Sequence, residues 1–288
     1  MLTLGGFGFL LACVFGSYLV SGGSVRPLID SLPFEMLSIG GAALGTFVMS
    51  NSMHDVKHTL AGFKKVLGGA SFKKGDYVDL LSLLYWFARL ANAKGAMALE
   101  PHIERPTEST AFQKFPRILA NHHATDLICD YLRMVGMNAD DPHQIEDVMA
   151  RELKKTLLEE LHSAHALQTM ADALPALGIV AAVLGVVKTM SHINEPPAVL
   201  GEMIGGALVG TFLGVLLAYG FAGPCASRLR AVVEEEAKYF EVIRAVLVAH
   251  LHGNPPQISV ETGRKMVPNQ HMPSFQDLEQ AVQGAQIG

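Results

Sequence analysis

The placement of charges limits what this chain can become more than any other feature. No Asp, Glu, Lys or Arg precedes Arg26, none lies between Glu35 and Asp55, and none lies between Glu202 and Arg228. A shorter stretch between Asp172 and Lys188 is equally clean. Each approaches the roughly 20 apolar residues needed to cross about 30 Å of hydrocarbon. Over its 288 residues the chain is 50% hydrophobic and 17% charged, against about 25% charged in soluble domains. The remaining sequence, mainly 52–169 and 228–288, is charge-rich and belongs in water.

The pattern predicts spans at 2–21, 34–52, 171–191 and 200–223. A cleaved leader at 1–24 is the competing reading of the first, because Ser21-Gly22-Gly23-Ser24 resembles a cleavage site. The apolar run exceeds the usual 7–15 residues of a leader and no Lys or Arg precedes it, so a retained helix is the more economical choice. Lys57, Lys64, Lys65, Lys73 and Lys74 follow the second span, and Arg228 and Arg230 follow the fourth. The loop 22–33 holds only Arg26 against Asp30, and 192–199 holds no Lys or Arg. Counting positive charge then places both termini and the large central segment on the cytoplasmic side of the membrane.

Between and beyond the spans the reading is helical. Asp76 is expected to cap a helix, with Asp79 three residues on, ahead of Leu80, Leu84, Phe87 and Leu90. Ile145, Met149, Leu153, Leu157 and Leu161 recur every four residues and run without a break into the third span, as one long helix. Leu229, Val233, Ala237, Phe240, Arg244 and Leu247 extend the fourth in the same way. Asp140-Asp141-Pro142 and Gly253-Asn254-Pro255-Pro256 read as breaks, and Ser274 with Asp277 caps a short helix. The fold class is an all-α integral membrane protein, four transmembrane helices in a 2+2 arrangement with a large helical cytoplasmic domain. Its parts are a first helix pair at 1–52, a cytoplasmic helical domain at 53–169, a second helix pair at 170–224 and a cytoplasmic tail at 225–288.

Helices in lipid gain little by hiding apolar surface from one another, so close packing relies on small side chains. Gly206, Gly210 and Gly214, continued by Ala218 and Ala222, form a four-residue ridge in the fourth span. Gly8, Ala12 and Gly16, Gly41 with Gly45, and Ala181 with Gly185 do the same elsewhere, which suggests an oligomeric bundle. Pro175 and Pro224 bracket the inner ends of spans three and four, where each frees a carbonyl as a kink or simply marks a tolerated helix end. An ion pathway ordinarily needs an ionisable group at depth. None is expected mid-span here, since Glu35 and Glu202 sit at outer ends and Asp172 and Lys188 at the two ends of span three. The most polar mid-span group is Thr211, whose hydroxyl either lines a wet path or bonds back to a carbonyl one turn earlier. If this chain conducts ions, another chain must supply the carboxylate.

Several function classes fall away. A net charge of −5 shows no basic footprint for nucleic acid. No nucleophile–base or phosphate-loop motif marks an enzyme. Cys13, Cys129 and Cys225 form no close pair and read as small packing residues. His54, His58, His122, His123, His162 and His165 lack partners at ligand spacing and read as surface histidines, so no metal or other cofactor is expected.

The stretch from Asp172 through Pro175 to Val187 is similar to the third span of MotA proteins, the flagellar stator subunits, and Val209 through Thr211 and Tyr219 to Pro224 is similar to their fourth. Further matches are Asp79–Tyr85, Leu99-Glu100, Phe115-Pro-Arg-Ile-Leu119, and Gly263-Arg-Lys265 leading to Pro273-Ser-Phe275. The resemblance covers nearly the whole chain. It implies a homopentameric ring around two copies of MotB, which would anchor to peptidoglycan and contribute the missing Asp. It also implies that ion flow turns the ring and that cytoplasmic charges push the rotor protein FliG. Pro175 and Pro224 match prolines linked to coupling, and Thr211 matches a pore-facing threonine. Sodium-driven relatives carry Thr where this chain has Ala182, so protons are the expected coupling ion. Each charge crossing about 150 mV would release roughly 3–4 kcal/mol.

One departure stands out. Glu100 matches the family's rotor-facing glutamate, but Asn92 occupies its basic position. On one continuous helix, Arg89 would lie within about 20° of the direction of Glu100 and could take over, with Lys94 as second candidate and Gly95 as the point of doubt. The alternatives to a stator are an ExbB/TolQ-like energiser, which has one span before the large loop rather than two, and a stand-alone channel or transporter, which the lack of an inverted repeat argues against.

Overall fold

The computed structural model describes residues 2–137 and 142–284, and every regular element among the described residues is helical. Four helices are long and apolar enough to cross a membrane, within Thr3–Val20, Arg26–Ser50, Pro142–Met190 and Pro197–Leu251. They are α1 (Leu2–Val20), then α2 (Arg26–Glu35) joined through a π turn to α3 (Gly41–Ser50), later α10 (Pro142–Met190), and α11 (Pro197–Leu217) joined through a second π turn to α12 (Gly223–Leu251). The long helices expected through spans three and four are therefore present. Of the expected break at 140–142, Asp140 and Asp141 lie outside the described residues, and α10 starts at Pro142. The loop between the first two spans is shorter than expected, because Pro27 near the helix start lets the chain turn helical at Arg26.

Two compact units form, one from the described residues of Met1–Gly69 and Glu159–Val232, the other from those of Ala70–Leu158 and Val233–Gly288. In the first, α10 and α11 meet backbone to backbone. A Cβ built on Gly178 would stand 2.8 Å from the carbonyl oxygen of Gly210, and one on Gly214 would stand 2.7 Å from that of Leu174. A Cβ on Gly185 would come within 2.6 Å of the Ala207 methyl. Ile39, Ala43, Ala171, Leu174, Ala181, Leu213, Ala218 and Ala222 close the core around this seam. The glycine ridge thus works as expected in spans three and four. In α1 and α3 the ridges meet no neighbour within the chain, since nothing lies within 4 Å of a Cβ built on Gly8, Gly16, Gly41 or Gly45. Instead α1 attaches through Phe7 against Phe221, ring centres 5.3 Å apart, and Phe15 edge-on to Phe212 at 6.0 Å. Ile179, Val180, Val183, Leu184 and Val187 on α10, and Phe9 and Val20 on α1, are left more than half exposed. A surface this apolar suits lipid or neighbouring subunits rather than water.

The chain leaves α3 through a capping box, Ser52 with Asp55, into α4 (Met53–Gly68). Lys65 on α4 pairs with Glu160 on α10 at 3.1 Å.

The second unit is built on α5 (Lys74–Lys94), whose Tyr77, Leu80, Leu81, Leu84 and Phe87 are buried. Around it stand α6 (Glu100–Glu104), α7 (Thr110–Gln113), α8 (Pro116–Ala120) and α9 (His122–Gly136), with α13 (Pro256–Met266) and α14 (Phe275–Gly284) closing the C-terminal side. Asp76 is three residues into α5 rather than its cap, and its carboxylate accepts the Lys73 N–H at 2.8 Å. The same carboxylate meets Arg117 at 2.6 Å, joining α8 to α5. Asp79 lies one turn further into α5, where half-burial and the neighbouring Asp76 raise its carboxyl. Ser274 and Asp277 do form the expected cap, with reciprocal bonds of 3.0 and 3.1 Å. Ile145, Met149 and Leu153 are buried as their spacing predicts. On α12 Leu229, Val233 and Leu247 of the predicted stripe are buried, together with Tyr239, Val242, Ile243 and Val246, while Arg244 is half-buried and pairs with Glu241 at 3.1 Å. Each large apolar side chain buried in this way contributes about 1.5–3 kcal/mol. Burial pushes the Cys129 thiol up to about 12, as suits a packing residue.

The matched segments at 263–265 and 273–275 find a structural purpose here. Arg264 is nearly buried, donates through Nε and Nη2 to Glu261, both at 2.6 Å, and donates through Nη1 to the Pro273 carbonyl at 2.9 Å. Arg264→Lys keeps the charge but loses this fork. It should loosen the segment by about 1.5–3 kcal/mol, seen as faster amide exchange across 256–284. For the seam, Gly178→Ala and Gly214→Ala should each destabilise the detergent-solubilised chain by about 1–3 kcal/mol, while Gly45→Ala leaves it unchanged. Equal thermal shifts for all three would contradict the backbone contact.

Candidate functional site

The seam between α10 and α11 gathers most of the sequence-predicted pathway residues. Thr211 adjoins Gly178, because a Cβ on that glycine would lie 3.4 Å from the Thr211 Cα. Thr211 and Ala182 are both half-buried, so neither is sealed into the core of a single subunit. Among the described residues the Thr211 hydroxyl makes no bond back to the Ala207 carbonyl, unlike Thr189, which bonds the Gly185 carbonyl at 2.9 Å. Pro175 lies inside α10, which passes through it without interruption. Its ring removes the N–H that would have bonded the Ala171 carbonyl.

Pro224 is handled differently. The π turn Ala218–Ala222 directly precedes α12, and the Gly223 N–H bonds back to the Ala218 carbonyl, five residues earlier. The wider turn adjusts the ladder next to a residue that cannot donate. The kink expected at the inner end of span four is thus a π turn, whereas none interrupts span three at Pro175.

A second π turn, Met36–Gly40, corrects the placement of Glu35 at an outer end. Because the helix starts at Arg26, Glu35 is the tenth residue of the 25-residue span Arg26–Ser50. Its carboxylate points at α11, so that a Cβ on Gly210 would lie 2.7 Å from Glu35 Oε2 and 3.2 Å from the Ala181 methyl. That oxygen is shut off from solvent and finds no hydrogen-bond partner among the described residues. An acidic group therefore does reach the seam from within this chain. Sequence reasoning missed it because the span's start was set by the last charge rather than by Pro27.

The charges expected to face a rotor lie in the second unit. Arg89, Lys94 and Glu100 are all exposed, as is Asn92. The helix does not continue through them. Gly95 takes φ +80 and ends α5, a single 3₁₀ turn follows at Ala96–Leu99, and Glu100 opens α6 ahead of Pro101. A positive φ is natural to glycine and ends a helix. The alignment of Arg89 with Glu100 therefore fails, since it required one helix from 89 to 100. Lys94 and Glu100 instead flank the same turn.

Of the histidines singled out in the sequence, His54 and His58 meet at a tilt with ring centres 4.3 Å apart, and His123 packs on Phe240 at 4.7 Å. The structure brings a different pair, His143 and His252, to one carboxylate, that of Glu146. Their separation of over a hundred residues gave no spacing signal.

Comparison with known proteins covers both units. Residues 4–95 match the motility protein A N-terminal model, and residues 117–242 match that of the MotA/TolQ/ExbB proton channel family. The chain is 40% identical over 282 residues to motility protein A of Escherichia coli, covering 98% of this chain and 95% of that protein. It is 32% identical over 270 residues to the chemotaxis protein LafT of Vibrio parahaemolyticus, covering 94% of each. Among solved structures, MotAB of C. jejuni superposes with a TM-score of 0.74 at 18% identity, over 95% of this chain and 98% of that one. The MotAB stator complex from Bacillus subtilis superposes with a TM-score of 0.68 at 22% identity, over 95% and 97%. The apolar spans and the paired matches along the whole length lead to one assignment: the chain belongs to the motility protein A family, within the MotA/TolQ/ExbB proton channel family.

Proposed function

We propose that this flagellar stator subunit forms a proton path with MotB, using the seam of α10 and α11, and transmits movement to FliG through charges beside Gly95. The observation that carries the reading is the glycine-to-glycine contact of α10 and α11, which sets half-buried Thr211 and Ala182 along one pair of apolar helices. A ring of five copies around two MotB chains would cover the exposed apolar faces of α1 and α10. The helix pairs then stand two and two in the inner membrane, with both termini cytoplasmic, as the Lys and Arg that follow spans two and four require. MotB supplies an acidic group at depth, and Glu35 adds a second polar point beside Gly210. The N-terminal match over residues 4–95 favours this reading over an ExbB/TolQ-like energiser.

Ala182 in place of Thr favours protons over sodium, and no other cofactor is invoked. Pro175 and Pro224 couple ion occupancy to helix movement, with the π turn before Pro224 as the more deformable of the two. For the rotor contact, the break at Gly95 removes the reason to prefer Arg89 over Lys94 as partner to Glu100.

Deleting the gene should leave cells with intact filaments that do not swim, and restoring it should restore swimming. Loss of the filaments themselves would point to assembly instead. In rescued cells speed should collapse with a protonophore and stay constant as external sodium is varied; a speed that tracks sodium would overturn the choice of ion. Glu100→Lys should shrink swimming halos, and Lys94→Glu should do so more than Arg89→Glu. Unchanged motility in all three variants would remove these charges from the rotor contact.

A further inference from the structure

We propose that His143, Glu146 and His252 form a Zn²⁺ site that ties the first turn of α10 to the end of α12. His143 and Glu146 lie three residues apart at the start of α10, which puts them on one face. His252 follows the last residue of α12, Leu251, and its turn closes at Gly253, with φ +82, and through the Asn254 N–H, which bonds the Ala249 carbonyl at 3.2 Å. Both imidazoles approach the same oxygen. Glu146 Oε2 is 3.5 Å from His252 Nε2 and 3.9 Å from His143 Nδ1, and all three ligand atoms lie within 4.8 Å of one another. The two rings meet edge to face at 5.0 Å and 60° rather than stacking.

These separations are close to what zinc needs. With Zn–N and Zn–O bonds of about 2.0–2.1 Å, ligand atoms at tetrahedral angles stand about 3.4 Å apart. The His252–Glu146 edge is already there. The His143 edge must close by about half an ångström, at a ring whose side chain is 80% exposed. Two imidazoles and one carboxylate suit zinc and its borderline neighbours better than Ca²⁺ or Mg²⁺, which take oxygen. Three protein ligands leave a position for water, and a cavity of about 300 Å³ opens beside Glu146, lined also by Arg244, Val248, Asn254 and Thr262. The helix ends divide the electrostatics. A cation is disfavoured at the start of α10 and favoured at the end of α12, and the Glu146 charge offsets the first effect.

The competing use of the same atoms is a pair of imidazolium–carboxylate contacts, which need protonated rings, whereas zinc needs neutral ones. Zinc titration of the full-length chain in detergent, against a chromogenic chelator, separates the two. One saturable site per chain is expected. His252→Ala and Glu146→Gln should weaken it by more than the roughly 10–100-fold typical of losing an outer-shell partner. The control His54→Ala/His58→Ala should leave it intact. His252→Cys should retain binding, because a thiolate also ligates zinc, and with Co²⁺ it should add a sulfur charge-transfer band. Zinc should also slow amide exchange at the start of α10 and the end of α12 in the natural chain but not in His252→Ala. Weak binding spread over the other histidines, or a site that survives His252→Ala and Glu146→Gln, would overturn the proposal.

Discussion

The approach of α10 and α11 through Gly178 and Gly214 is the contact on which the membrane unit depends. In lipid two apolar helices gain nothing from leaving water, so what holds them is dispersion between surfaces brought close enough to touch. A hydrogen in place of a methyl at both positions lets a carbonyl of each helix pack against the α-carbon region of the other. Everything else in the first unit follows from that spacing. Ala181, Leu213 and Ala218 fill the core at its margin, Thr211 falls alongside Gly178, and α2 and α3 lean on the pair through Ile39 and Ala43. The remaining apolar faces are left outward, available to lipid and to other subunits.

Much of this was legible in the sequence, because the signals involved are local. Charge-free runs give spans, four-residue glycine spacing gives a ridge, and the Ser274/Asp277 pattern gives a cap. The failures share a cause as well. Whether a ridge finds a partner is a tertiary matter, so the equivalent spacing in α1 and α3 looked the same and meets nothing within the chain. The run around Arg89 and Glu100 read as one helix because a glycine inside a helical pattern is often tolerated. Only the backbone at Gly95 shows that it is a stop. Glu35 was assigned to a boundary because charges ordinarily mark boundaries, and His143 and His252 were passed over because nothing in linear order associates them.

The matched motifs also divide by purpose once their contacts are known. Gly263, Arg264 and Pro273 pin the C-terminal segment, and Arg117 holds α8 to the buried carboxylate of Asp76. These residues maintain a scaffold. Among the described residues Thr211, Pro224 and Glu100 show no comparable side-chain hydrogen bond or ion pair.

The π turn at Ala218–Ala222 carries a consequence for how α11 and α12 behave as a unit. A π turn accommodates one residue more than the α-helical count, and one residue is about 100° of phase. The run from Pro197 to Leu251 is therefore two helical stretches with a fixed phase step between them. The helical ridge Gly210–Gly214 above and the buried positions Ala226 and Leu229 below are each in register with themselves, but not as a straight helix would relate them. The step turns the faces of the residues after Ala222 relative to those before Ala218 while the chain stays helical throughout, which is the arithmetic of a screw thread rather than of a hinge.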